Sequence, residues 1–171
     1  MEKNKVVFLD RDGTINKDFG YVYDIEKLEF LDGVLEGLKK LNDNGYKLII
    51  ITNQSGIGRN YYNLNDYNLF TNYMISEFLK NSIEISKVYY CPHIDEDNCD
   101  CRKPKLGLFY QAINDYNIDL SKSFAIGDKI RDLSICDETN TKGILISNEK
   151  KRGYICKKNL LDAANYIINN E

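Results

Sequence analysis

A chain of 171 residues, 43% hydrophobic and 29% charged, has the size and composition of one globular domain with a sizeable core. Its formal net charge of −3 mixes both signs without long runs, which leaves no broad basic footprint for nucleic acid and no polybasic membrane patch. No apolar stretch approaches the ~20 residues of a membrane span, and Met1-Glu2-Lys3-Asn4-Lys5 lacks the apolar region of a secretory signal. A soluble, cytoplasmic protein is expected, monomeric by default.

Lys5–Leu9 reads as a strand, and its apolar run Val6-Val7-Phe8-Leu9 as one buried on both faces. It ends in Asp10-Arg11-Asp12-Gly13-Thr14, two carboxylates one residue apart, which need either a cation or an Asx-type turn. After an irregular stretch, Ile15–Phe30, a helix carries Val34, Leu35, Leu38 and Leu41, with Asp32 as N-cap and Gly45 just past its end. Lys47–Thr52 is a second strand. Asn65 is expected to cap a helix through about Leu79, with Leu69, Phe70, Tyr73 and Phe78 as its apolar face, and Arg59 to be a solvated helix-start residue. Strands over Lys87–Cys91, Ser123–Gly127 and Gly143–Ser147 follow, with helices over Gly107–Tyr116, Lys129–Thr139 and Leu160–Ile168. This alternation predicts an α/β fold, doubly wound around a mainly parallel sheet, as one domain over residues 1–171. Too little chain separates the motifs for a full cap domain.

In such a sheet, binding groups collect beyond the carboxyl ends of the strands. Those ends deliver Asp10 and Asp12, then Thr52-Asn53-Gln54-Ser55-Gly56, then Arg102-Lys103, then Gly127-Asp128-Lys129 with Asp132 one turn on. Carboxylates for a cation, donors for phosphate oxygens and a cationic side chain together describe a metal-assisted phosphoryl site.

Five cysteines in an unexported protein point to thiols or metal ligands. Cys91, Cys99 and Cys101 cluster around the chain's one histidine, His93, inside the irregular stretch that runs to about residue 106. Three thiolates and an imidazole make a closed zinc set with no open position for substrate; the alternative is a reduced thiol cluster in a polar loop. Cys136 reads as small core filler.

The ordered motifs Asp10-Arg11-Asp12-Gly13-Thr14, Thr52-Asn53, Lys103 and Gly127-Asp128-Lys129-Ile130-Arg131-Asp132 resemble those of haloacid dehalogenase-like phosphatases. With Gln54-Ser55-Gly56-Ile57-Gly58-Arg59, Cys91-Pro92-His93 and Cys99-Asp100-Cys101-Arg102-Lys103-Pro104, the chain is similar to the bacterial D-glycero-D-manno-heptose 1,7-bisphosphate 7-phosphatase family and its relative, the histidinol-phosphate phosphatase domain. The resemblance implies that Asp10 is a nucleophile, Asp12 a general acid and base, and Thr52 and Lys103 stabilisers of phosphoryl charge. It implies Mg2+ on Asp10, Asp128 and the Asp12 carbonyl, with Asp132 orienting Lys103 or metal-bound waters. It places substrate against Asp18, Phe19, Gly20, Tyr21, Thr52, Asn53, Gln54, Ser55, Arg102, Lys103 and Lys129, and Zn2+ on Cys91, His93, Cys99 and Cys101. A phosphosugar substrate in lipopolysaccharide, capsule or S-layer precursor synthesis is implied, with no nucleic-acid or membrane partner. Arg102 suits a second phosphate, or else pairs with Asp100 or the acidic loop.

Overall fold

The computed structural model describes residues 3–170. Its strands are β1 Val6–Leu9, β2 Lys47–Asn53, β3 Ile85–Cys91, β4 Phe124–Gly127, β5 Lys142–Ile146 and β6 Ile155–Lys157. All pair in parallel, in the order β3-β2-β1-β4-β5-β6. Its helices are α1 Val34–Asp43, α2 Leu64–Lys80, α3 Gly107–Tyr116, the single turn α4 Ile135–Glu138 and α5 Leu160–Asn169. The chain winds outward from β1 through β2 and β3, then returns to β4 and winds the other way. A crevice therefore opens between the carboxyl ends of β1 and β4, where the winding reverses.

Both faces of the sheet are covered, which is why the strands read as unbroken apolar runs. Val7, Leu9, Leu48 and Ile50 share one core with residues of α1, α2 and α5, among them Leu38, Phe70, Met74 and Ala164. Val6, Phe8, Ile49 and Ile51 share the other with Leu108, Phe109 and Ala112 of α3 and with Leu133 and Ile135. No helix among the described residues is long and apolar enough to cross a membrane.

Four local expectations are corrected. The N-cap of α1 is Gly33, at φ 78° with no side-chain cap bond, rather than Asp32. The cap of α2 is Asn63: its side chain accepts from the Asp66 N–H at 3.0 Å, while Asp66 accepts from the Asn63 N–H at 2.9 Å. That reciprocal pair satisfies two helix-end donors and starts α2 before Asn65. Its buried stripe is Tyr67, Phe70, Met74 and Phe78; Leu69 and Tyr73 lie beside the stripe and are exposed. The helix expected over Lys129–Thr139 splits into a 3-10 turn, Ile130–Leu133, at whose start Asp132 accepts from the Lys129 N–H at 3.0 Å, and α4. The three-residue edge strand β6 is too short to show a periodicity.

Candidate active site

Pairing of β1 with β4 continues one residue past β1: the Asp10 N–H donates to the Ile126 carbonyl at 3.0 Å and sets Asp10 at the crevice. Lys103 arrives from the segment after β3. Its ammonium contacts Asp10 Oδ1 at 2.8 Å, the Ile51 carbonyl at 2.6 Å and Asp132 Oδ1 at 2.8 Å. Three donors meet three oxygens, so a buried cation is fully satisfied. Asn53 fixes the backbone there, accepting from the Lys103 N–H at 3.0 Å and donating to the Lys103 carbonyl at 3.1 Å. Burial disfavours the Lys103 charge, yet Asp10 and Asp132 outweigh it and hold its pKa above the ordinary lysine value. Burial, joined by the like charges of Asp132 and Asp12, pushes Asp10 up to about 7 in spite of Lys103.

Asp12 is held differently. Its carboxylate meets Arg11 Nε and Nη2 at 3.0 Å each, Asn16 Nδ2 at 3.0 Å and Gln54 Nε2 at 3.1 Å. Arg11 is itself buried, donating to the Val22 carbonyl at 2.6 Å with its guanidinium 4.6 Å from the Phe70 ring centre. Gln54 is oriented in turn, donating to Thr52 Oγ1 at 2.8 Å and accepting from the Tyr62 hydroxyl at 2.5 Å. Sequence reading assigned no role to Arg11, Asn16 or Tyr62. The one available signal was an arginine set between two aspartates.

Asp128 follows β4, near Thr14 (Oγ1 at 3.4 Å) and Lys129 (Nζ at 3.4 Å). Gly13, at φ +86°, lets the β1 loop close over it: a Cβ there would lie 2.6 Å from Asp128 Oδ2. Carboxylate oxygens of Asp10, Asp128 and Asp132 lie within 4.8 Å of one another. Asp132 spends Oδ1 on Lys103 and Oδ2 on the Lys129 N–H, so Asp10 and Asp128 form the pair turned toward a cation. A hard divalent ion fits this set, because such ions take carboxylate oxygens and three carboxylates converge here.

The predicted zinc set does converge. Cys101 Sγ lies 3.0 Å from Cys91 Sγ, 3.5 Å from Cys99 Sγ and 3.3 Å from His93 Nδ1, and all four donor atoms fall within 4.8 Å of one another. Four such donors gathered this closely could hold one metal ion. Burial raises the Cys99 thiol, but backbone N–H groups of Arg102 and Cys101 and the neighbouring thiols outweigh it and bring it down to about 7.

A cavity of about 260 Å³ opens over Asp12. Asp18, Gly20, Tyr21, Asn53, Gln54, Ser55 and Arg102 line it as anticipated, while Phe19, Thr52, Lys103 and Lys129 do not. Thr52 and Lys103 are buried at the Asp10 end of the site, and Phe19 is exposed. Tyr21 takes a left-handed φ of 51°, uncommon for a bulky residue, and packs edge-on to Tyr61 at 4.7 Å. Tyr62, Arg59 and Arg131 also line the cavity. Arg59 therefore belongs to the mouth rather than to a helix start, since the turn over residues 55–60 precedes α2. Arg102 donates from Nε to Asp95 Oδ1 at 2.6 Å and still faces the cavity. That hydrogen bond, with Arg131 and Arg59 nearby, holds the Asp95 carboxyl below its ordinary range. A larger hollow of about 630 Å³, at the opposite end of the sheet around Lys3, Lys5, Lys122 and Lys142, contains none of these groups.

Residues 5–151 match the family model described as polynucleotide kinase 3 phosphatase. The chain is 42% identical over 169 residues to the D-glycero-alpha-D-manno-heptose-1,7-bisphosphate 7-phosphatase of Campylobacter jejuni, with 96% of each covered. It is 43% identical over 169 residues to the D-glycero-beta-D-manno-heptose-1,7-bisphosphate 7-phosphatase of Helicobacter pylori strain J99, covering 96% of this chain and 97% of that one. A solved structure of D,D-heptose 1,7-bisphosphate phosphatase from B. bronchiseptica, complexed with magnesium and phosphate, is similar at TM-score 0.89 and 25% identity, covering 98% of this chain and 99% of the other.

Proposed function

The chain belongs to the haloacid dehalogenase-like D-glycero-D-manno-heptose 1,7-bisphosphate 7-phosphatase family, and from that premise we propose that it hydrolyses the 7-phosphate of this sugar bisphosphate through an aspartyl-phosphate on Asp10. The observation that carries the chemistry is the bridge of Lys103 between Asp10 and Asp132, beside a carboxylate, Asp12, that floors an arginine-lined cavity.

Asp10 attacks phosphorus, a bond forms between its carboxylate oxygen and phosphorus, and the bond to the sugar oxygen breaks. Asp12 gives the leaving oxygen a proton; it then takes one from the water that cleaves the aspartyl-phosphate and restores Asp10. The four N–H donors around Asp12 hold its carboxyl group in place between the two transfers. Thr52 Oγ1 already accepts from Gln54, which leaves its hydroxyl hydrogen for a phosphoryl oxygen. Lys103 offsets charge building on the same oxygens, and Asp132 keeps Lys103 aimed.

Asp10, the Asp12 backbone carbonyl and Asp128 would hold Mg2+, which supplies Lewis-acid neutralisation of the phosphoryl charge. Cys91, His93, Cys99 and Cys101 would hold Zn2+ in a structural role, fixing the loop that presents Arg102 and Lys103. The whole is read as a single domain acting in the cytoplasm as a monomer on a small phosphosugar.

A polynucleotide 3′-phosphate, which the matching family model's name suggests, fits poorly with a net charge of −3 and a cavity of about 260 Å³. A phosphate-release panel tests the reading: both anomers of the heptose bisphosphate, fructose 1,6-bisphosphate, histidinol phosphate and an oligonucleotide 3′-phosphate, each with and without magnesium. The highest kcat/KM is expected for one heptose bisphosphate, with none released when magnesium is omitted. A higher kcat/KM for histidinol phosphate or the oligonucleotide overturns it.

A further inference from the structure

Arg102 is tethered and only partly used. It precedes Lys103, whose side chain and backbone are both anchored, and its own side chain is 14% exposed. Its Nε is spent on Asp95, while Nη1 is shielded from solvent with no hydrogen-bond partner. Asp95 is the opposite case: it lies on the one-turn segment Asp95–Asp97 of the cysteine loop, with its side chain 75% exposed. Turning away would return that carboxylate to water at little desolvation cost, whereas Arg102 has nowhere to go.

Arg59 and Arg131 line the same cavity. Of the carboxylates lining it, Asp12 is engaged by Arg11, and Asp18 accepts from the Gly20 N–H at 2.9 Å. A dianionic phosphoryl group offers three strong acceptors where Asp95 spends one oxygen on Arg102, so it can take the Nε–Nη2 fork that Asp95 engages at Nε alone.

We propose that Asp95 is a resident counter-ion on Arg102 which the second phosphoryl group of the substrate displaces, so that Asp95 sets the selectivity between bisphosphate and monophosphate esters. This rests on the sugar-bisphosphate reading. A monophosphate has no group for Arg102 and leaves the pair intact; a bisphosphate must break it. Asp95 therefore weakens binding of one substrate class and not the other.

The test is the KM of heptose 1,7-bisphosphate and of heptose 7-phosphate in wild-type, Asp95→Asn, Arg102→Gln and doubly substituted protein, with zinc content measured for each. Asp95→Asn is expected to lower the bisphosphate KM about two- to five-fold, the scale of one partly exposed ion pair, and to leave the ratio changed because the monophosphate KM does not follow. In the Arg102→Gln background the Asp95 substitution should have no further effect. An unchanged ratio overturns the proposal. So does a parallel rise of both KM values with loss of zinc, which would make Asp95 a strut of the loop. Should wild type hydrolyse neither heptose ester, the parent reading fails. The Asp95 comparison then stands on fructose 1,6-bisphosphate against fructose 6-phosphate.

Discussion

Asp10 and Asp12 are separated by one residue and are prepared in opposite ways. Asp10 is desolvated among like charges and faces a single lysine, whereas Asp12 collects four N–H donors from Arg11, Asn16 and Gln54. That division fits the proposed roles of Asp10 as nucleophile and Asp12 as proton carrier. Replacing Asp10 by Asn keeps the volume and removes the proposed nucleophile; the variant is expected to fold and bind phosphate with turnover abolished. Near-normal phosphate release from it would remove Asp10 from the mechanism. Gly127 is a second single-residue test. A Cβ there would lie 2.4 Å from Asp132 Oδ2, so Gly127→Ala must move Asp132 and, with it, the Lys103 ammonium. A misplacement on this scale costs roughly 10²-fold in rate, to be read in kcat; an unaltered kcat would mean that Asp132 does not aim Lys103.

At the scale of elements, two short segments determine how the site is framed. The α2 start is tied by the Asn63–Asp66 exchange, immediately after Tyr62, which lines the cavity. Loss of such a cap costs about 1 kcal/mol, so Asn63→Ala should destabilise the protein by that amount in denaturant titration. Asn65→Ala, on an exposed position, should fall within about 0.5 kcal/mol of wild type; the reverse order would restore Asn65 as the cap. The cysteine loop is the other segment. Protein purified without chelator should hold about one zinc per chain by elemental analysis. Cys101→Ser should lose it and raise the KM for the bisphosphate, because Arg102 and Lys103 follow directly. Absence of zinc from fully active protein would leave the cluster as reduced thiols.

For the whole molecule, the buried carboxylate ties stability to pH. Asp10 in the folded, magnesium-free protein has its pKa at about 7, against 3.8 as its ordinary value. Between those values the folded state keeps a proton that the unfolded chain has released. Stability from this group therefore falls as pH rises from about 4 to about 7 and levels off above that. Denaturant midpoints measured without added magnesium should show the decline, and Asp10→Asn should remove it; curves that stay parallel across the window would contradict the burial of a protonated Asp10. Local chemistry in the chain was sufficient for the parallel α/β frame and for most of the site. An apolar run ending in a polar residue marks a strand and its carboxyl end at once, which located Asp10, Thr52 and Asp128, while the cysteine–histidine cluster was legible because its four members lie within eleven consecutive residues. What sits across the crevice was not legible. Gln54 reaches Asp12 over 42 residues and Lys103 reaches Asp10 over 93, and such partners are chosen by which strands lie side by side. Arg11 had no role assigned from sequence, and packing buries it against Asp12. Arg59 was expected as a solvated helix-start residue and Arg131 carried no assigned role, yet both line the cavity with Arg102. Sequence determined which residues stand at the strand ends, because backbone pairing and burial act locally and leave a periodic trace. Only the tertiary structure decided how those residues are charged, aimed and opposed, because desolvation and ion pairing depend on neighbours that the chain order does not reveal.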